Sequence, residues 1–310
     1  MIKKIATLKK IIKHCVLCPR KCSIDRTAGE KGFCNLSDEL IVKSAIAHYG
    51  EEPPLSGRHG AGTIFFSSCN LRCIYCQNYQ ISHSISGEKK DGSGLAGIML
   101  ALQKQGCHNI EAVTPTPHLP GIMESLMMAR QKGLDLPLVY NCGGYENPDV
   151  LKLIEGLVDI YLPDFKYGSE QNAYQFSGIR DYPGFAVESI KEMVRQIGDS
   201  LEEDEGIATR GLIIRHLILP GNIANSIDVL QLIKAHISTF VPISIMSQYT
   251  PIPAAKDHPS LDRRITRAEY EYVINQALDM GFETIFTQEV DDRTLSPDFD
   301  KELPFDWSQA

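Results

Sequence analysis

The sequence has no run of roughly 18 uninterrupted apolar residues, so no helix of the ordinary membrane-spanning kind is expected. Its first residues, Met1 to Lys13, lack the continuous apolar centre of a signal peptide. Isoleucines and leucines recur there at helical spacing with lysines between them, which predicts a short amphipathic helix packed on the body. Positive charge is scarce: 31 Lys and Arg against 39 Asp and Glu leave a formal net charge of -8, which argues against broad non-specific binding to nucleic acid. Also missing is the even cysteine count of a disulfide framework. The chain has nine cysteines, seven of them in two tight groups, and this usage fits a reducing, cytoplasmic interior in which thiols have metal or redox work. Neither a membrane nor a nucleic acid is expected as a partner.

What is present can fill a sizeable core. At 310 residues and 43% hydrophobic, the chain predicts one large α/β domain with a small appendage. Its centre is the stretch Cys69-Asn-Leu-Arg-Cys73-Ile-Tyr-Cys76, a C-x3-C-x2-C spacing directly after the β-branched and aromatic run Thr63-Ile64-Phe65-Phe66. The thiols therefore sit on a loop leaving a buried strand. Three thiolates so placed can hold three corners of a 4Fe-4S cluster, whereas a tetrahedral zinc site wants a fourth protein ligand that this loop lacks. The plainer alternative is a set of buried structural cysteines, or a zinc knuckle borrowing a ligand from elsewhere. Free thiols at this density, however, call for a metal or redox reason.

A second group, Cys15, Cys18, Cys22 and Cys34, has C-x2-C-x3-C-x11-C spacing, with Pro19, Gly29 and Gly32 supplying turns. Four thiolates make a complete tetrahedral set, for structural zinc or for an auxiliary iron–sulfur cluster. Residues 35–61 read as an irregular connector, with Glu51-Glu52-Pro53-Pro54 and Ser56-Gly57-Arg58-His59-Gly60 inside it.

Beyond the triad, strand-like runs alternate with helical periods. Strands are predicted at Ile110–Thr114, Leu138–Asn141, Ile160–Asp164, Leu212–Leu219, Ile243–Tyr249 and Thr284–Thr287. Helices are predicted at Leu95–Lys104, Ile122–Lys132, Val150–Leu157, Val187–Ile197, Ile227–Ile237 and Arg267–Met280. Asn147-Pro148 is a helix start, Thr266-x-x-Glu269 a capping box, and Gly106, Gly133 and Gly281 are helix stops. Such alternation means parallel strands with helical crossovers, in an open, partial (β/α)6 barrel, a full barrel or a doubly wound sheet. Functional residues gather at the carboxyl ends of such strands. Those ends hold Gln77-Asn78, Thr114-Pro115-Thr116-Pro117-His118, Asn141-Cys142, Asp164-Phe165-Lys166, Arg215-His216 and Ser247-Gln248. Glu202-Glu-Asp-Glu205 reads as a solvated acidic loop, and 291–310 as a peripheral extension with Trp307 as an anchor. His118 and His216 read as hydrogen-bonded structural histidines, Cys107 as packing, and Cys142 as a buried thiol whose sharper role is hydrogen-atom donation.

The triad with Tyr75 before its third cysteine resembles the signature of the radical S-adenosylmethionine (SAM) superfamily. Leu17-Cys18-Pro19-Arg20, Glu51-Glu52-Pro53-Pro54, Tyr75-Cys76-Gln77-Asn78-Tyr79, Gly143-Gly144-Tyr145, Asp159 to Lys166 and Arg215-His216-Leu217 are together similar to the uncharacterised homologues of pyruvate formate-lyase activating enzyme (PflX-like iron–sulfur proteins), from about Cys15 to Gly281. The resemblance implies a partial (β/α)6 barrel over 60–290, with an N-terminal helix and four-cysteine metal module over 1–50. It implies a 4Fe-4S cluster on Cys69, Cys73 and Cys76, with SAM chelating the open iron. SAM contacts fall to Tyr75, Asn78, Thr114, Thr116, Asn141, Lys166, Arg215 and His216. The implied activity is reductive cleavage of SAM to a 5′-deoxyadenosyl radical, which takes hydrogen from a protein or small-molecule substrate, with flavodoxin or ferredoxin as electron donor. Where activating enzymes carry Gly-Gly-Glu, this chain has Thr114-Pro115-Thr116-Pro117, whose carbonyls and hydroxyls can accept from an ammonium. The other class in view is a non-catalytic iron–sulfur or zinc-binding interaction protein.

Overall fold

The computed structural model describes residues 1–255, 258–291 and 296–305. The amphipathic start forms α1 (Ile2–Ile11) and a 3-10 turn (Ile12–His14), with Ile5, Leu8 and Ile12 buried as their spacing requires. There follow β1 (Leu40–His48), α2 (Pro53–Ser56), β2 (Ala61–Phe66), α3 (Tyr79–Ser82), β3 (Glu88–Lys90), α4 (Gly92–Lys104) and β4 (Ile110–Val113). Next come α5 (Leu119–Gln131), β5 (Leu138–Cys142), α6 (Pro148–Leu153), β6 (Ile160–Pro163), α7 (Glu170–Ser177) and α8 (Tyr182–Ile197). The chain continues through β7 (Leu201–Asp204), β8 (Ile207–Leu212), β9 (Ile214–Leu217), α9 (Ile223–His236), β10 (Ile243–Met246), α10 (Arg267–Met280) and β11 (Ile285–Phe286).

One sheet runs β3-β1-β2-β4-β5-β6-β8-β7 and the other β11-β10-β9. Strands β2, β4, β5, β6 and β8 are parallel, as are β9, β10 and β11. A parallel bridge between Asp164 and Arg215, with the Phe165 N–H donating to the Arg215 carbonyl at 2.7 Å, joins the two sheets just past β6. The predicted strand Leu212–Leu219 is thus β8 and β9, broken at Ile213. Parallel strands with a helix in each crossover are buried on both faces, and β2, β4, β6 and β10 are buried at every residue.

Local signals hold at several boundaries. Asn147 caps α6 by accepting from the Asp149 N–H, Thr266 and Glu269 form the reciprocal capping box of α10, and Gly281 ends α10 at φ +90°. Elsewhere the expectations need correction. Residues 35–61 are not a plain connector: β1 is a nine-residue strand antiparallel to β2, with Ala45 opposite Ile64 and Ile46 opposite Thr63. Leu40-Ile41-Val42 supplies a β-branched start, while the two alanines flanking Ile46 weaken the pattern. The acidic segment Glu202–Glu205 is a hairpin, not a loop: β7 pairs antiparallel with β8 through Glu205 and Gly206, both at positive φ. Helix α8 begins at Tyr182, before the expected Val187, because Pro183 fits a first turn. In the tail, Phe299 is buried against Phe65, ring centroids 5.2 Å apart, so the extension is part of the core there. Trp307 lies outside the described residues.

Candidate active site at the strand ends

The triad loop leaves the carboxyl end of β2 in a constrained conformation. Ser68 and Arg72 within it, and Thr114 after β4, have φ of +80°, +55° and +56°. Non-glycine residues in that region cost about 1–3 kcal/mol each and persist only where their surroundings hold them, commonly at ligand sites. Here the holding contacts are explicit. The Ser68 hydroxyl donates to the Cys34 carbonyl, Asn70 Nδ2 to the Tyr145 carbonyl at 2.8 Å, Arg20 Nε to the Asn70 carbonyl at 3.0 Å, and the Ile74 N–H to the Phe176 carbonyl at 2.9 Å.

Each triad sulfur accepts a hydrogen bond. Cys69 Sγ receives the Leu71 N–H at 3.3 Å, Cys73 Sγ the Ser177 hydroxyl at 3.0 Å, and Cys76 Sγ the Ser82 hydroxyl at 3.3 Å. Burial, reinforced by the neighbouring thiols, pushes Cys69 up and Cys76 up to about 12. As free thiols they stay protonated; a cationic iron core supplies the counter-charge that makes them ligands. Soft donors, donated hydrogen bonds and a shared wall fit an iron–sulfur cluster. Among the described residues, no three or more His, Cys, Asp and Glu side chains are gathered closely enough to hold a single metal ion.

The three cysteines line one cavity of about 170 Å³ together with Tyr75, Asn78, Thr114, Asn141, Lys166 and Arg215. Lys166 pairs with Asp164 at 2.5 Å; burial opposes its charge, but Asp164 and its other neighbours raise its pKa well above the usual value. Cys142 lines the same cavity, its thiol raised well above the ordinary range by burial. Two expected contacts are not brought in. Thr116 donates to Glu146 at 2.7 Å and faces the amino-terminal cysteines. His216 is buried on the other face of β9 from Arg215, its Nδ1 on the Phe165 carbonyl at 2.7 Å and its Nε2 on the Ser226 hydroxyl at 2.8 Å. Burial holds its pKa down, at about 4, so it is a neutral structural histidine. His118 is likewise buried, with its Nε2 on the Ser67 carbonyl at 2.7 Å.

A second cavity, about 280 Å³, adjoins the first and shares Asn78, Asn141, Arg215 and Gln248 with it. Besides Arg215, the charged groups in and behind its wall are ones that sequence reasoning missed. Glu51 and Glu52, taken for irregular chain, both pair with the Arg215 guanidinium, and Glu51 also meets His48 Nδ1 at 3.1 Å. Burial opposes the Glu51 charge, but Arg215 and His48 outweigh it and hold the carboxyl below its usual range. Glu111, on β4, accepts from Asn141 Nδ2 at 2.6 Å and from Thr63 at 3.0 Å. Burial, then the charge of Glu51, pushes it up to about 8. The available signal was a single acidic residue inside the otherwise apolar run Ile110–Val113.

Cys15, Cys18, Cys22 and Cys34 line one small cavity of about 20 Å³. A Cβ on Gly32 would stand 2.7 Å from Cys22 Sγ, so glycine is what lets the chain pass the sulfur. Arg26 ties this module to the body by donating to the Ser37 and Pro117 carbonyls.

No protein-family model matches the chain. Over 296 residues it is 30% identical to the uncharacterized protein MJ0674 of Methanocaldococcus jannaschii, covering 91% of this chain and 80% of that one. Among solved structures, anSMEcpe with bound AdoMet aligns with a TM-score of 0.51 at 12% identity, over 72% of this chain and 61% of its own length. SuiB of Streptococcus suis, bound to the precursor peptide SuiA, aligns at 0.49 and 11% identity, over 72% of this chain and 47% of its own. The chain therefore shares the fold of anSMEcpe while spanning less than two thirds of either solved protein.

Proposed function

This chain belongs to the family of the Methanocaldococcus jannaschii protein MJ0674, and from the chemistry at its strand ends we propose that it is a radical SAM enzyme. The observation that carries the reading is the single cavity in which three hydrogen-bonded cysteine sulfurs face Tyr75, Thr114, Asn141 and Lys166 across parallel strand ends. Cys69, Cys73 and Cys76 are the residues that would hold a 4Fe-4S cluster. When bound, the cluster supplies the electron that splits SAM into methionine and a 5′-deoxyadenosyl radical.

The chain's own part is to position and to exclude water. Lys166, kept charged by Asp164, is a cation for the methionine carboxylate. Thr114 and Asn141 would offer oxygen acceptors to its ammonium in place of Gly-Gly-Glu, and Tyr75 would meet the adenine. Arg215 is committed to Glu51 and Glu52, and acts through them rather than on the carboxylate. Ser177 and Ser82 hold the sulfurs of Cys73 and Cys76. The catalytic unit is an open, partial (β/α)6 barrel over 60–290 that β1 extends and Phe299 of the tail packs onto, with the four-cysteine stretch before β1 as a metal module. In the module, the four cysteines line one small cavity without being gathered closely enough to hold an ion as they stand; a full set of four thiolates with no position left open favours one zinc ion over a second iron–sulfur cluster. The further reading is an activating-enzyme-like oxidoreductase, reduced by flavodoxin or ferredoxin, that takes hydrogen from a protein or small molecule.

The test is electron paramagnetic resonance of the anaerobically reconstituted, reduced protein. A 4Fe-4S signal that changes on addition of SAM, and is missing from Cys73→Ala, supports the proposal; a signal indifferent to SAM refutes it.

A further inference from the structure

The cavity beside the triad cavity has a chemical character that its neighbour does not explain. The side chains of Glu51, Glu52 and Arg215 are each 10% exposed or less, and with His48 neutral two carboxylates against one guanidinium leave the chamber one negative charge in excess. Arg215 forks onto Glu52 through Nε and Nη2, so Glu51 shares only Nη2 and finds its other partner in His48. Lys166 lines the neighbouring cavity, paired with Asp164, and adds no positive charge to this one. The chamber walls are aromatic: His48, Phe65, Phe286 and Phe305 line it, with the His48 and Phe305 rings 4.5 Å apart. Buried negative charge next to aromatic faces is a poor site for an anion and a good one for a cation, which gains both a carboxylate and ring faces.

We propose that this chamber binds the head group of the substrate and that the head group is an organic cation, an ammonium or guanidinium on an alkyl or peptide stem. The inference rests on the radical SAM reading only for naming the bound molecule a substrate; the preference for positive charge stands on the chamber itself. Asn78, Asn141, Arg215 and Gln248 line both cavities, so a cation held at Glu51 lies beside whatever occupies the triad cavity. Selectivity follows from the same groups. An anionic analogue meets the chamber's excess negative charge, and a neutral isostere gains no charge pairing.

Agmatine, N-acetylargininamide and the neutral N-acetylcitrullinamide are the probes, titrated calorimetrically into the reconstituted protein with SAM at low and high salt. Both cations should bind about tenfold or more tightly than the citrulline analogue, with the preference shrinking as salt rises. The better of the two cations assigns a free amine or a protein side chain as its source. Glu51→Gln keeps the Arg215 fork onto Glu52; if it melts as the parent does, it should lose most of the preference. Should that variant fail to fold, the salt dependence of the parent carries the test. Equal binding of the citrulline analogue, or cation binding indifferent to salt and to Glu51→Gln, overturns the proposal. Because binding is read separately from SAM cleavage, a protein that cleaves SAM without preferring cations refutes this inference alone. One that prefers cations without cleaving SAM refutes the enzymatic reading alone.

Discussion

Replacing Glu111 by Gln should stabilise the protein, and by an amount that depends on pH. Glu111 is buried on β4, with a pKa raised to about 8 first by desolvation and then by Glu51; Arg215, Asn141 and Thr63 pull the other way. Glu52 and His48 complete the charged groups around it through Arg215 and Glu51. A carboxyl whose folded pKa lies above its unfolded value of 4.5 binds a proton that the unfolded chain releases. Its contribution to stability is fully present below that unfolded value and is lost as pH rises through about 8. A tenfold change in proton affinity between the folded and unfolded chain is worth about 1.4 kcal/mol, so by neutral pH the burden amounts to a few kcal/mol. Gln is a neutral isostere whose oxygen can accept from Asn141 and whose amide can donate to Thr63, and it does not titrate. The difference in unfolding free energy between Glu111→Gln and the parent should be near zero at pH 5, grow with pH, and level off above pH 8. Urea titrations of both holoproteins from pH 5 to 9 measure this, with contributions common to both cancelling. A flat difference across that range, or one that favours the parent as pH rises, would refute the placement of Glu111 as a buried, proton-carrying acid.

Gly144 has φ +74° and a Cβ there would stand 2.1 Å from the Asp164 carbonyl, so Gly144→Ala should destabilise by about 2 kcal/mol or more; a thermal melt unchanged from the parent would contradict this. Metal analysis of the protein lacking Cys69, Cys73 and Cys76 should return about one zinc per chain, held by Cys15, Cys18, Cys22 and Cys34. Several irons with sulfide would instead make the module a cluster site, and no metal would refute both.

The parts of this site that were legible in the sequence are those whose partners lie close along the chain. Cys69, Cys73 and Cys76 lie within eight residues and line one cavity, and the run before them is β2. Thr266 and Glu269 announce α10 because a capping box is local. The ion cluster of Glu51, Glu52, Glu111 and Arg215 was not legible, since its members are joined only by the order of strands: Arg215 and Glu52 are 163 residues apart. Face assignment failed for a related reason. Arg215 and His216 are adjacent and polar, yet the pleat sends one to the cavity and the other to Ser226 on α9, and sequence shows no preference between them. Thr116 follows the same pattern, lying one short turn beyond Thr114 and turned toward Glu146. β1 was missed because the alanines flanking Ile46 blur the alternation, although pairing with β2 decides the matter once the sheet forms.

Reductive cleavage of SAM is the activity proposed for this cavity. Protein reconstituted anaerobically with iron and sulfide, reduced with dithionite and incubated with SAM, should produce 5′-deoxyadenosine and methionine, detected by liquid chromatography and mass spectrometry. The Cys69→Ala, Cys73→Ala and Cys76→Ala proteins should produce none. Absence of 5′-deoxyadenosine from a preparation holding a full cluster, or its undiminished formation by the cysteine variants, would contradict the account.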